Sequence, residues 1–123
     1  MAKILFIDDR MDEVLRQWHL SGCEAEHVML PVRPFESLKL AAEAVSMFQP
    51  DVIVIGFGLG VAGVDGAMVI RFLRDRGYTG SVVANSGGGV QQFLDAGVEV
   101  DASADRNPAG LTEALQSVVG GKR

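Results

Sequence analysis

The chain has 123 residues and a net charge of −5 at pH 7, and 48% of its residues are hydrophobic. This composition is typical of one globular domain and excludes a disordered chain. The negative charge argues against binding to nucleic acid or to an anionic membrane, because both need clustered Lys and Arg. With the single cysteine Cys23 we expect no disulfide. The lack of a disulfide fits a reducing cytoplasm, and we also expect no secretory signal.

Five apolar runs alternate with five helical patterns along the chain. Residues 4–7, 52–55 and 81–84 are continuous apolar runs, which is typical of strands buried on both faces of a sheet. Residues 24–30 and 98–103 mix charged and apolar side chains, which indicates half-exposed strands. The first three runs are therefore predicted to be inner strands and the last two to be edge strands.

Apolar residues at helical spacing follow each predicted strand. The second helix is expected to begin at Phe35, and Asp65 and Asn107 are suited to cap the third and the last helix. The buried stripe of the third helix is expected to comprise Met68, Val69, Phe72 and Leu73.

Regular alternation of strands and helices implies a parallel sheet with helices on both faces. We predict a flavodoxin-like (βα)5 three-layer sandwich with the strand order 2-1-3-4-5. The domain is expected to span residues 1–119, with residues 120–123 as a tail or linker stub. In this order a crevice lies between the carboxyl ends of the first and third strands. The pair Asp8-Asp9 and Gly56 are predicted to face each other across it.

Four segments carry a resemblance to a known family. They are KILFIDD at residues 3–9, PDVIVI at 50–55, the pair at 65–66 that opens the third helix, and SVVANS at 81–86. Together they resemble the receiver domain of two-component response regulators, over nearly the whole chain. The resemblance implies a non-enzymatic domain that takes part in a phosphorelay and in signal transduction.

The resemblance also assigns roles to single residues. In the family an acidic pair after the first strand binds Mg²⁺, and Asp8 and Asp9 match it. An aspartate at the end of the third strand accepts the phosphoryl group, but Gly56 stands at that position. A Ser or Thr after the fourth strand changes rotamer on activation, and Ser86 matches this switch residue.

A further family residue is the lysine after the fifth strand, which pairs with the phosphoaspartate. The nearest positions here are Ala104 and Asp105, and neither is lysine. Phosphoryl transfer needs a nucleophilic carboxylate and positive charge around the transferred group. Here both the acceptor aspartate, at whose position Gly56 stands, and the lysine are absent. Their absence predicts a degenerate receiver, or pseudo-receiver. Such a domain would regulate by phosphorylation-independent contact with a signalling protein or output domain. The face made by the fourth helix, fifth strand and fifth helix is the expected contact surface, and it could also form a homodimer.

The predicted Mg²⁺ site is incomplete. Hard cations prefer several oxygen ligands, and only the carboxylates of Asp8 and Asp9 are available, next to the positive charge of Arg10. The alternative is that backbone amides, water or Arg10 hold the two carboxylates.

Glycine-rich loops raise two further functional alternatives. Gly58, Gly60 and Gly63 match the pattern G-x-G-x-x-G between a strand and a helix, and Gly87 and Gly88 add a second loop at the same end of the sheet. These loops could bind a small anionic ligand or a nucleotide through backbone amides. The alternative, which we favour, is a flexible rim that is poor in side chains. A third possibility is a receiver that is phosphorylated at a displaced carboxylate.

Overall fold

The computed structural model describes residues 2–31, 37–61 and 63–120. In chain order its elements are β1 (Lys3–Asp8), α1 (Met11–Ser21), β2 (Glu26–Pro31), α2 (Ser37–Phe48), β3 (Val52–Ile55), β4 (Gly58–Val61), β5 (Val64–Asp65), α3 (Gly66–Asp75), β6 (Ser81–Ala84), α4 (Gly89–Asp95), β7 (Ala102–Ser103) and α5 (Pro108–Leu115). One π-helical turn, Gln116–Gly120, extends α5.

Five strands form one parallel sheet in the order β2-β1-β3-β6-β7. This order confirms the predicted flavodoxin-like fold. All residues of β3 and β6 are buried, whereas β2 is mostly exposed. The continuous apolar runs lie inside the sheet because only inner strands of a parallel sheet are covered on both faces.

Two hydrophobic cores lie on opposite faces of the sheet. Successive side chains of a strand point to opposite faces, so alternate residues of each inner strand enter different cores. Phe6 and Val54 pack with Leu111 of α5 on the face that also carries α1. Ile53 packs with Ile70 of α3 on the other face, where α2 and α4 also lie.

The last strand of the sheet is shorter than predicted, because β7 contains only Ala102–Ser103. The amide of Val98 donates to the carbonyl of Phe93 at 2.9 Å and closes the turn after α4. The carboxylate of Asp101 accepts the amide of Val82 at 2.8 Å, where a strand would offer a backbone carbonyl. The amide of Asp101 donates to the carbonyl of Val82 at 2.8 Å, so a single residue holds this segment beside β6 before the ladder of β7 begins.

The glycine loop after β3 is not an open loop. It folds into the antiparallel hairpin β4-β5, with Gly58 opposite Asp65. Leu59 of this hairpin is fully buried in the core on the α3 side. The ring of Phe57 meets that of Phe93 edge to face at a centroid distance of 5.3 Å. These apolar contacts attach the hairpin to the domain.

Two predictions about helices have different outcomes. The expected start of the second helix at Phe35 lies outside the described residues. Met68 was expected in the buried stripe of α3, but it is 39% exposed, and Ala67 and Ile70 are buried instead. Among the described residues, no helix combines the length and the apolar character needed to cross a bilayer.

Candidate functional site

The carboxyl ends of β1 and β3 meet in a narrow space that we call the acidic crevice, bounded by Asp8, Asp9 and Gly56. The amide of Gly56 donates to the carbonyl of Ile7 at 3.2 Å, which places Gly56 beside Asp8. A Cβ atom on Gly56 would lie 2.7 Å from Oδ2 of Asp8 and 3.2 Å from Nη2 of Arg106. The crevice therefore has no room for a side chain at position 56 as it stands.

Asp8 is the buried charge of the crevice, with a side chain that is only 2% exposed. Nη2 of Arg106 lies 3.1 Å from its Oδ1 and 3.2 Å from its Oδ2, and the amide of Arg10 donates to Oδ1 at 3.1 Å. Burial raises the pKa of the Asp8 carboxyl above its ordinary value. The Arg10 amide and the Arg106 guanidinium favour the charged form and limit that rise in pKa.

Arg106 is the functional residue that the sequence analysis missed. It follows the positions compared with the family's lysine, and no motif marks it. Asp105 and Arg106 both adopt left-handed backbone conformations, with φ of 51° and 56°. Such conformations each cost a non-glycine residue about 1–3 kcal/mol, so surrounding contacts must hold them. The amide of Arg106 donates to Oδ1 of Asn85 at 3.1 Å, which is one such contact.

A buried pair of amide side chains supports that turn. Nε2 of Gln17 donates to Oδ1 of Asn85 at 3.0 Å, and Nδ2 of Asn85 donates to Oε1 of Gln17 at 2.8 Å. Nε2 of Gln17 also donates to the carbonyl of Asn107 at 3.1 Å. The pair joins α1, the end of β6 and the start of α5, and it positions the backbone of Arg106.

The arginine next to the acidic pair does not contact Asp8 through its side chain. The guanidinium of Arg10 is 3.8 Å from Glu13, and both side chains are well exposed. Nη1 of Arg106 is 3.7 Å from the same glutamate. The sequence analysis considered backbone amides, water and the Arg10 side chain as partners of the two carboxylates. In the structure a backbone amide does bind Asp8, but the side chain that pairs with it is that of Arg106.

Asp9 is exposed and lies under the hairpin. A Cβ atom on Gly60 would be 2.9 Å from Oδ2 of Asp9, and Gly60 has a left-handed φ of 69°. Glycine at this position therefore serves both the turn and the close approach to the carboxylate. Among the described residues, no group of three His, Cys, Asp or Glu side chains is placed to hold a metal ion.

The remaining predicted site residues lie around the crevice with partners of their own. Ser86 is buried, and its hydroxyl donates to Oε1 of Gln92 at 2.8 Å. Ala104 is fully buried beside β6. Asp105 accepts the hydroxyl of Ser103 at 2.7 Å. Neither of the two positions compared with lysine contacts Asp8, and the positive charge comes from the residue that follows them.

The two glycine loops differ from each other. Gly58 and Gly60 are part of the ladder of β4, and Ala62 within the G-x-G-x-x-G match lies outside the described residues. A paired strand turns part of its backbone amides toward its partner, which leaves fewer of them for an anion. Gly87 and Gly88 precede α4 and are exposed. Ligand binding by these loops stays a prediction.

Comparison with known proteins supports the fold. The sequence matches no model of a known protein family, and no curated protein is significantly similar to it. The structure is similar to the receiver domain of a Francisella response regulator, with a TM-score of 0.73 and 16% identity over 100% of both chains.

Two further solved structures give the same result. A response regulator of the LuxR family from Aurantimonas has a TM-score of 0.71 and 17% identity, over 100% of this chain and 88% of that one. A response regulator receiver domain from Clostridium thermocellum has a TM-score of 0.66 and 18% identity, over 99% and 97%. The chain therefore has the fold of response-regulator receiver domains.

Proposed function

We propose that this domain acts in signal transduction as a receiver-like module that works without aspartyl phosphorylation. It regulates by contact with a signalling protein or an output domain and catalyses no reaction of its own. The observation that carries the proposal is the acidic crevice itself. Glycine stands where a nucleophilic carboxylate would be needed, and a guanidinium pairs with the neighbouring Asp8.

The other carboxylates that could accept a phosphoryl group are poorly placed to do so. Asp65 caps α3 by accepting the amide of Met68 at 2.9 Å. Asp51 accepts the amide of Lys3 at 2.8 Å, at the opposite, amino end of β3. Asp8 is buried against Arg106, and Asp9 lies under Gly60. These contacts favour a domain that is not phosphorylated over one phosphorylated at a displaced position.

Wild-type protein treated with acetyl phosphate and Mg²⁺ is expected to gain no phosphoryl mass, because the crevice lacks a free nucleophile. Intact mass spectrometry checks this, with a phosphorylatable receiver domain as positive control. Beryllofluoride, which mimics a phosphoryl group, is expected to leave the amide NMR spectrum unchanged. A phosphoryl adduct on wild type that disappears in Asp8→Asn or Asp9→Asn would contradict the proposal and identify the acceptor.

The proposed contact surface comprises α4, β7 and α5. Leu94 on α4 is 46% exposed, which suits an apolar contact at this edge of the sheet. If the surface forms a homodimer, Leu94→Glu is expected to weaken self-association by at least about tenfold, as for a central interface residue.

Sedimentation velocity over a concentration series measures this effect. Met47→Glu on α2 is the matched control, because Met47 is 87% exposed and lies away from the β7 edge. Equal weakening by both substitutions would contradict a specific role for the α4 face. A wild-type chain that stays monomeric would exclude the homodimer and leave contact with a different protein.

A further inference from the structure

Arg106 lies where the fold family places a divalent cation. Its Nη2 atom contacts both carboxylate oxygens of Asp8, at 3.1 and 3.2 Å. A Mg²⁺ ion would bind such an oxygen directly at about 2.0–2.1 Å and would require several further oxygen ligands. The guanidinium and a metal ion would compete for the same two oxygens, and their positive charges would repel each other. The residues present therefore do not fit Mg²⁺.

The glycine at position 56 and the arginine at position 106 are structurally linked. A side chain on Gly56 would meet both Asp8 and Arg106, within 2.7 and 3.2 Å. Only glycine leaves the space in which the guanidinium reaches Asp8. The same glycine leaves only the two carboxylates of Asp8 and Asp9 for a metal ion. Glycine at position 56 thus makes room for the guanidinium of Arg106, which serves as an internal cation, and weakens the binding of a metal ion.

The internal cation is also held from several directions. Its backbone amide bonds to Asn85 at 3.1 Å, and its second guanidinium nitrogen lies 3.7 Å from Glu13. The Arg106 side chain is only 27% exposed. An arginine that is anchored at both ends loses little further freedom when it pairs with a carboxylate, so it competes well with ions from solution.

We infer that Arg106 is a built-in cation that replaces the divalent metal of the acidic crevice, so that a cation site formed by Asp8 and Asp9 is latent and opens only when Arg106 is removed. Divalent ions are then expected to leave the folded structure of the wild-type domain unchanged. Metal exclusion and the absence of phosphorylation are separate properties. Protein that bound no metal yet gained a phosphoryl group would contradict only the proposed function.

Mn²⁺ titration followed by amide NMR tests this inference, because a bound paramagnetic ion broadens the signals of nearby residues. Wild type is expected to show no selective broadening at Asp8, Asp9 and Gly56 in millimolar Mn²⁺. Arg106→Gln is expected to show it, with binding at least about tenfold tighter than in wild type once the competing charge is gone. Arg10→Gln is the matched control, because it makes the same change in charge at an exposed arginine and is expected to behave as wild type.

Three results would overturn the inference. They are selective broadening in wild type that Arg106→Gln does not strengthen, no gain of binding in Arg106→Gln, and equal gains in Arg106→Gln and Arg10→Gln. If Arg106→Gln does not fold, Arg106→Met removes the charge and keeps an unbranched side chain. It is expected to show selective broadening at Mn²⁺ concentrations that leave wild type unchanged, and failure to do so would overturn the inference equally.

Discussion

Replacing Gly56 with alanine is expected to destabilise the domain by about 1–3 kcal/mol, the usual cost of forcing an extra carbon into a packed site. The new Cβ would lie 2.7 Å from Oδ2 of Asp8, and that carboxylate is buried and held by Arg10 and Arg106. It cannot move aside without weakening those contacts. Alanine restricts the unfolded chain and would by itself favour folding by up to about 1 kcal/mol, so a net loss of stability reports the steric conflict.

Aspartate at the same position is expected to cost more, about 3–5 kcal/mol, because it adds a second negative charge beside a buried one. An aspartate at the end of β3 is therefore expected to damage this fold. Gly87→Ala and Gly87→Asp are the matched controls, since a Cβ on Gly87 meets nothing within 4 Å.

Urea unfolding gives the free energy of each variant. Changes within about 0.5 kcal/mol are expected at position 87, as for most exposed positions. Similar losses at positions 56 and 87 would show that the crevice tolerates a side chain, and would remove the steric reason for glycine.

The second large effect is expected for Arg106→Gln, which should destabilise the domain by roughly 2–4 kcal/mol. Removing one partner of a buried ion pair leaves the other charge uncompensated and typically costs about 3–5 kcal/mol. The value expected here is lower because solvent reaches part of the Arg106 side chain, which is 27% exposed. Arg10→Gln removes an arginine that is 65% exposed, and a change of at most about 1 kcal/mol is expected there.

A double-mutant cycle isolates the contact between Asp8 and Arg106. Asp8→Asn removes the buried charge and keeps a similar shape, so Arg106→Gln should cost less in that background. A coupling free energy of about 1–3 kcal/mol is expected for two residues in direct contact. Additive effects of the two substitutions would mean that each acts through other neighbours and that the ion pair contributes nothing of its own.

The same variant should change the titration of Asp8. Burial raises its pKa in the folded protein above the value in the unfolded chain, so the folded state binds this proton more tightly. The stability that the proton contributes is present below the unfolded pKa and is lost as the pH rises through the folded pKa. Arg106→Gln removes an opposing positive charge, so the folded pKa should rise further and the loss should move to higher pH.

Carboxyl ¹³C NMR follows the pKa of Asp8 directly. The titration is read against the groups nearby, which are Asp9, the amide of Arg10 and Glu13 on the far side of Arg106. A pKa that stays the same or falls in Arg106→Gln would show that the guanidinium does not act on this carboxyl.

Local patterns were sufficient for the fold and for part of the site. The apolar runs at residues 52–55 and 81–84 predicted inner strands, and the charged runs predicted edge strands. This works because strands that are covered on both faces carry apolar side chains throughout. The strand order then placed Asp8 opposite Gly56, and the structure confirms that they are neighbours. The absence of a carboxylate at the end of β3 could also be read directly from the sequence.

The occupant of the acidic crevice was not predictable in this way. Arg106 is 98 positions from Asp8, and their contact depends on a left-handed pair of residues and on the buried bond to Asn85. No periodicity or motif records these features. The hairpin after β3 was missed for a similar reason, since its stability comes from the burial of Leu59 in a core made by distant segments.

The sequence by itself determined a parallel sheet with a glycine, and no carboxylate, at the end of β3, because burial patterns and residue identities are local properties of the chain. Only the tertiary structure decided which positive charge enters the acidic crevice, because the fold brings Arg106 next to a residue that is distant along the chain. Its contact with Asp8 depends on packing and on the space left by Gly56, and neither can be read from neighbouring residues.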